Sequence, residues 1–262
     1  MSVIARNNVT VRGEGRRAMV FAHGFGCDQN MWRHVTPAFE QDHKVVLFDH
    51  VGCGKSDLTA YDHAKYSRLA GYAADVVEIG QALDIKGGVF VAHSVSAMIG
   101  ILAAIEAPDL FSELVLIGPS PRYINDEGYE GGFTREQIEE LLEFLDDNHM
   151  GWSAAMGPVI MGNPDRPELS EELVNSFCRT DPDIAKAFAR VTFLSDNRAD
   201  LPRCQARALV IQCKQDVIAQ QGVGEYVRDH LPRGEMVVID ATGHCPNLSA
   251  PAQVISAIKA FV

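Results

Sequence analysis

Short apolar runs recur along the chain at strand length: "RAMVFAHGFG", "HKVVLFDHVGCGKSD", "GGVFVAHS", "SELVLIGPS", "ARALVIQCKQD" and "GEMVVIDATGH". The later ones are continuously apolar instead of alternating, as strands covered on both faces must be. Between them lie amphipathic stretches such as "LAGYAADVVEIGQALDI" and "VSAMIGILAAIEAP". Strand–helix–strand alternation predicts an α/β protein with a mostly parallel, doubly wound sheet and right-handed crossovers. "NNVTVRGEG" reads as an opening strand and turn.

From about residue 121 to 201 the rhythm stops. Only helical patterns appear there, near Arg135–Met150, Gly151–Met161, Ser170–Thr180 and Asp183–Leu194. "NPDRPELS" reads as a loop, with Ser170 the N-cap of the third helix and Glu171-Glu172 in its first turn. The expected organisation is a core of residues 1–120 and 202–262, with 121–201 a four-helix lid inserted between core strands. A separate domain fits less well, because the sheet resumes at once. The length of 262 residues suits one α/β domain with an insertion.

Charge and cysteine content narrow the partners. Against 23 basic residues stand 35 acidic ones, a net charge of −12, which disfavours nucleic acid and anionic membrane surfaces. The acidic stretches "TREQIEELLEFLDD" and "DRPELSEELVN" read as solvated helix faces. No run approaches the roughly 20 apolar residues of a membrane helix, and the N-terminus does not read as a signal peptide. Cys27, Cys53, Cys178, Cys204, Cys213 and Cys245 are scattered with no C-x-x-C pair, so neither a zinc site nor a disulfide framework is expected. Reduced thiols and a cytoplasmic location follow as expectations.

In open parallel sheets ligands bind beyond the carboxyl ends of the strands. "HVGCGKSD" ends like a phosphate-binding loop, but Asp49 stands where that loop requires glycine, so its glycines serve a tight turn. At the end of "GGVFVAHS" a strand must turn sharply into a helix at Ser94. That is the nucleophile-elbow pattern G-x-S-x-G, with Ala92 and Ser96 in the two flanking small positions. The alternative is that Ser94 merely caps the helix.

A serine hydroxyl needs a base to take its proton and a carboxylate to hold that base. Asp216 follows the strand "ARALVIQC", and His244 lies in the loop after "EMVVID", which gives the order Ser, Asp, His. Asp240 competes for the carboxylate role but lies too close in sequence to His244. The loop "HGFG" is where a backbone N–H for an oxyanion is expected, from Phe25, beside the N–H of Val95. His23 reads as a structural histidine bonded within its loop. His93 is expected to point away from the site.

With these residues in place the chain resembles the α/β-hydrolase superfamily over its whole length. More narrowly it is similar to the RsbQ group, bacterial stress-response regulators related to plant karrikin and strigolactone receptors. The resembling stretches are "HGFGCDQNMW", "VVLFDHVGCGKSD", "FVAHSVSAMIG", "GPSPRYINDEGYEGGF", "FLSDNRADL" and "GHCPNLS". The resemblance implies Ser94, Asp216 and His244 as a triad under a V-shaped lid of four helices. It further implies an apolar cavity lined by Phe25, Tyr123, Phe133, Trp152 and Phe193, aromatics that ordinary core packing would also explain. Ala92 departs from the glycine usual at the start of the elbow.

Two functions are compatible with this. One is a serine hydrolase of a small hydrophobic ester or lactone that needs no cofactor or metal. The other is a ligand sensor with little turnover, whose implied partner is a PAS-domain protein phosphatase in stress signalling. A serine at the elbow excludes an aspartate-nucleophile dehalogenase or epoxide hydrolase. A cofactor-free haloperoxidase or C–C bond hydrolase keeps the same triad and stays open.

Overall fold

The computed structural model describes all 262 residues. Its sheet has seven strands: β1 (Thr10–Arg12), β2 (Arg17–Ala22), β3 (His43–Leu47), β4 (Gly88–His93), β5 (Phe111–Ile117), β6 (Arg207–Gln215) and β7 (Gly234–Thr242). Their order is β1-β3-β2-β4-β5-β6-β7. Only β1 runs antiparallel to its neighbour, and every other pairing is parallel. The mostly parallel sheet expected from the alternating runs is observed, in the α/β-hydrolase arrangement that the resemblance implied.

The continuous apolar runs have a simple cause. Val20, Ala22, Phe90, Ala92, Leu114 and Leu116 join the core on one face of the sheet. Their neighbours Met19, Phe21, Val89, Val91, Val115 and Ile117 join a separate core on the other. Successive side chains point to opposite faces, and here both faces are covered. The edge strand β7 is the exception. It is only partly covered, and Val238 is 42% exposed, so "EMVVID" is not buried on both sides.

Ten α-helices accompany the sheet. Short α1 (Val3–Arg6) was not expected; Ser2 caps it by accepting from Ala5 N. α2 (Leu69–Ala82), α3 (Val95–Glu106) and α8 (Gln221–His230) pack on the first face. α9 (Pro246–Ser249) and α10 (Pro251–Phe261) pack on the second. Between β5 and β6 lie α4 (Arg135–Asp147), α5 (His149–Met161), α6 (Pro167–Arg179) and α7 (Pro182–Phe193). No helix is long and apolar enough to cross a membrane.

Two boundaries in this segment differ from expectation. α4 stops at Asp147, because the Asn148 side chain accepts from Gly151 N and caps a new helix that takes in His149 and Met150. α6 begins at Pro167, so "PELS" is helix and Ser170 is a buried interior residue, not an N-cap. Proline fits the first helical turn because its φ is preset and its missing N–H would be unpaired there anyway. Arg166, just before it, donates to Ser249 O and to Asn163 Oδ1 and so fixes where the helix starts.

Candidate active site

β4 ends beside β5, where Ser94 N donates to Ile117 O at 2.8 Å. Ser94 then takes φ 58° and ψ −125°, and α3 begins at Val95. A non-glycine residue with positive φ is costly and persists only where its surroundings enforce it. The turn throws Oγ out of the helix direction: it makes no capping bond. Instead Ser94 Oγ lies 2.8 Å from His244 Nε2, and His244 Nδ1 lies 2.7 Å from Asp216 Oδ2. The capping alternative therefore fails on geometry.

Each partner is held by its own loop. Asp216 Oδ1 accepts from the N–H groups of Ile218 and Ala219 at 2.8 and 3.1 Å. Burial alone would raise the Asp216 pKa. The adjoining His244 and these two N–H groups outweigh it and hold the carboxyl below its usual range. His244 N donates to Ile160 O of α5 at 2.9 Å, and His244 O accepts from His93 Nε2 at 2.7 Å. At Gly118 a Cβ would stand 3.1 Å from His244 Cε1, so the turn after β5 leaves room for the imidazole. Asp240, the competing carboxylate, is exposed and pairs with Lys214 instead.

An acceptor site for negative charge adjoins Ser94. Phe25 N–H makes no backbone hydrogen bond. Val95 N–H opens α3, where no carbonyl of the helix can reach it. A tetrahedral oxyanion next to Ser94 would find two free donors.

Ser94 and His244 border an apolar cavity of about 30 Å³, walled by Phe25, Tyr123, Leu173, Phe177 and Phe193. Of the five aromatics expected at its wall, Trp152 and Phe133 are not part of it. Trp152 packs edge-on against Phe25 with ring centres 6.0 Å apart. Phe133 is half-buried and donates its N–H to Tyr123 O at 3.2 Å. Leu173 and Phe177, missed in the sequence, sit one turn apart on α6; their i, i+4 spacing on an amphipathic helix is the signal that could have found them. The roomier groove of about 550 Å³ between Ser67–Ala70 and Arg190–Asn197 contains no histidine.

The other histidines and cysteines that adjoin the site, His23, His93, Cys27 and Cys245, are kept uncharged by burial. His23 Nδ1 donates to Gly24 O at 2.9 Å, a structural role within its loop. His93 does not point away from the site: it borders the cavity, its ring centre 5.0 Å from that of His244. Burial pushes the His93 pKa down to about 3, so it carries no charge. Cys27 and Cys245 also touch the cavity, but burial pushes Cys27 up to about 12 and Cys245 well above its ordinary value. A thiol that stays protonated is a poor nucleophile, which leaves Ser94 unrivalled. No three His, Cys, Asp or Glu side chains are grouped to hold a metal ion.

Known proteins show the same arrangement of chain. A family model described as "Alpha/beta hydrolase family" matches residues 19–257. A karrikin insensitive 2 receptor of Petunia hybrida is 38% identical over 95% of this chain and 93% of its own. A strigolactone esterase of Arabidopsis thaliana is 39% identical over 98% of this chain and 97% of its own. Among solved structures, a hydrolase from Oleispira antarctica superposes with a TM-score of 0.96 at 40% identity, covering 99% of this chain and 95% of that one.

Proposed function

The chain belongs to the alpha/beta hydrolase family, and on that premise we propose that it opens small apolar esters or lactones, butenolides among them, through Ser94, His244 and Asp216. Ser94 Oγ attacks the carbonyl carbon while its proton passes to His244 Nε2. Asp216 keeps the His244 tautomer that makes Nε2 the acceptor and stabilises the imidazolium that forms. The tetrahedral oxyanion accepts from Phe25 N–H and Val95 N–H. Collapse breaks the ester C–O bond, and His244 returns its proton to the leaving oxygen. A water deprotonated by His244 then cleaves the acyl-enzyme and frees Ser94.

In this reading residues 121–201 are a lid on a core made of 1–120 and 202–262. Phe25, Tyr123 and Phe193 bind the substrate, with Phe133 and Trp152 supporting them. The observation that carries the reading is the unbroken Ser94–His244–Asp216 bond chain at the wall of an apolar cavity. Hydrolysis of p-nitrophenyl acetate and of a butenolide by Ser94→Ala tests it. Loss of the nucleophile is expected to lower kcat by about 10⁴-fold or more. Turnover that survives the substitution overturns the mechanism.

The likeness to a named receptor favours a second reading, ligand sensing with little turnover. Its specific form is an RsbQ-like role in bacterial stress signalling, with a PAS-domain protein phosphatase as partner. Either role suits the cytoplasm, where six unpaired cysteines stay reduced. Purified phosphatase whose activity is unmoved by this chain, with and without ligand, would remove the sensor form.

A further inference from the structure

The two oxyanion donors stand on separate segments. Phe25 lies beyond β2 and Val95 beyond β4, and the ladder between those strands ends at the pair Ala22–Ala92. Past that pair the sheet no longer fixes the spacing of the donors. A hydrogen-bonded bridge spans the gap. Ser96 Oγ donates to His23 O at 2.5 Å, directly linking the elbow to the loop that carries Phe25. His50, from the end of β3, lies with Nε2 2.7 Å from Ser96 Oγ, and its N–H donates to His23 Nε2 at 3.1 Å.

The protons of this cluster have one consistent arrangement. Ser96 Oγ spends its hydrogen on His23 O, so it must accept from a protonated His50 Nε2. His23 Nε2 accepts from His50 N–H, so His23 carries its hydrogen on Nδ1, where Gly24 O takes it. Both rings are then neutral, in keeping with pKa values that burial lowers. His23, His50 and Ser96 are all fully buried, so bulk water does not compete for these bonds.

We propose that Ser96 and His50 are positioning residues that set the distance between the Phe25 and Val95 N–H groups for the oxyanion. The inference rests on the Ser94 mechanism above. A glycine two residues after the nucleophile, as in G-x-S-x-G, would satisfy the sterics of the elbow and leave the bridge unmade. Serine at 96 is therefore more than a tolerated small residue.

The test compares wild type with Ser96→Gly, His50→Phe and the double variant, using p-nitrophenyl acetate and a boronic acid that mimics the tetrahedral state. Misplaced donors are expected to lower kcat by about 10- to 100-fold. KM should stay within about two-fold, and boronate affinity should fall in the ratio of kcat, because only the tetrahedral state uses the donors. Groups acting through one bridge are non-additive, so the double variant should be no slower than Ser96→Gly alone. A Ser96→Gly protein with wild-type kcat, a rise in KM at unchanged kcat, or additive losses overturns the proposal. Wild type must first show turnover that Ser94→Ala loses. Turnover that survives in Ser94→Ala would defeat the mechanism itself, whereas Ser94-dependent turnover with an unaffected Ser96→Gly defeats only the bridge.

Discussion

The Asp216 carboxylate divides its oxygens between two tasks. Oδ1 takes the N–H groups of Ile218 and Ala219, while Oδ2 takes His244 Nδ1. Asp216→Asn separates those tasks. The amide oxygen goes on serving the two N–H groups, which leaves Nδ2 facing His244 and forces Nδ1 to accept. His244 Nε2 then carries the proton and is no longer a base toward Ser94. The expected outcome is a folded protein with an unchanged melting profile and kcat reduced by about 10⁴-fold. Circular dichroism and ester hydrolysis check the two halves. Ser94, Asp216 and His244 were legible in the sequence because each ends or follows a strand and the strand pattern is strong. His93 was not, because nothing in "VAHS" tells that its Nε2 is bound to the backbone of a loop 151 residues away.

Helix α6 governs the loop after β2 more than its sequence suggests. Ser176 Oγ donates to Gly26 O at 2.8 Å. Gly26 has φ +67°, and a Cβ there would lie 2.2 Å from Phe177 Cδ1. Gly26→Ala thus combines backbone strain with overpacking, at a cost of about 1–3 kcal/mol for the overpacking. Because the neighbouring residue is Phe25, a lower kcat is expected together with a lower melting temperature. Adding Phe177→Ala removes the clash but not the strain, so kcat should recover only in part. Full recovery, or no effect of Gly26→Ala, would show that the loop does not depend on this contact. The existence of four helices between β5 and β6 was legible from their periodicity, but their ends were not. Proline at the first position of α6 and α7 was the overlooked signal. The partners that place α6, Gly26 and Ser249, are distant in the chain and leave no local trace.

For the molecule as a whole, the acidic excess sits outside and the chemistry is sealed inside. Glu136, Glu139, Glu140 and Glu143 of α4 all face solvent, as a solvated helix face requires. The cavity of about 30 Å³ beside Ser94 is of a different scale. A water requires about 10–15 Å³ of such space, so the closed molecule has room for water and none for an ester. Substrate must displace side chains of the wall, and Phe177 is placed to set the limit. It is buried against Phe25 and Trp152, with ring centres 6.1 and 5.4 Å away. Phe177→Ala should lower stability by about 3–5 kcal/mol, the usual cost of truncating a core aromatic. In return, the space opened faces Ser94. Each methylene accommodated in an apolar pocket is worth about 10- to 200-fold in specificity. The ratio of kcat/KM for p-nitrophenyl butyrate to that for the acetate should therefore rise at least about 10-fold in Phe177→Ala. The measurement is made below the lowered melting temperature, with Ser94→Ala as blank. A ratio equal to that of wild type would mean that the wall yields elsewhere, and that Tyr123, Leu173 or Phe193 sets the size of what is cleaved.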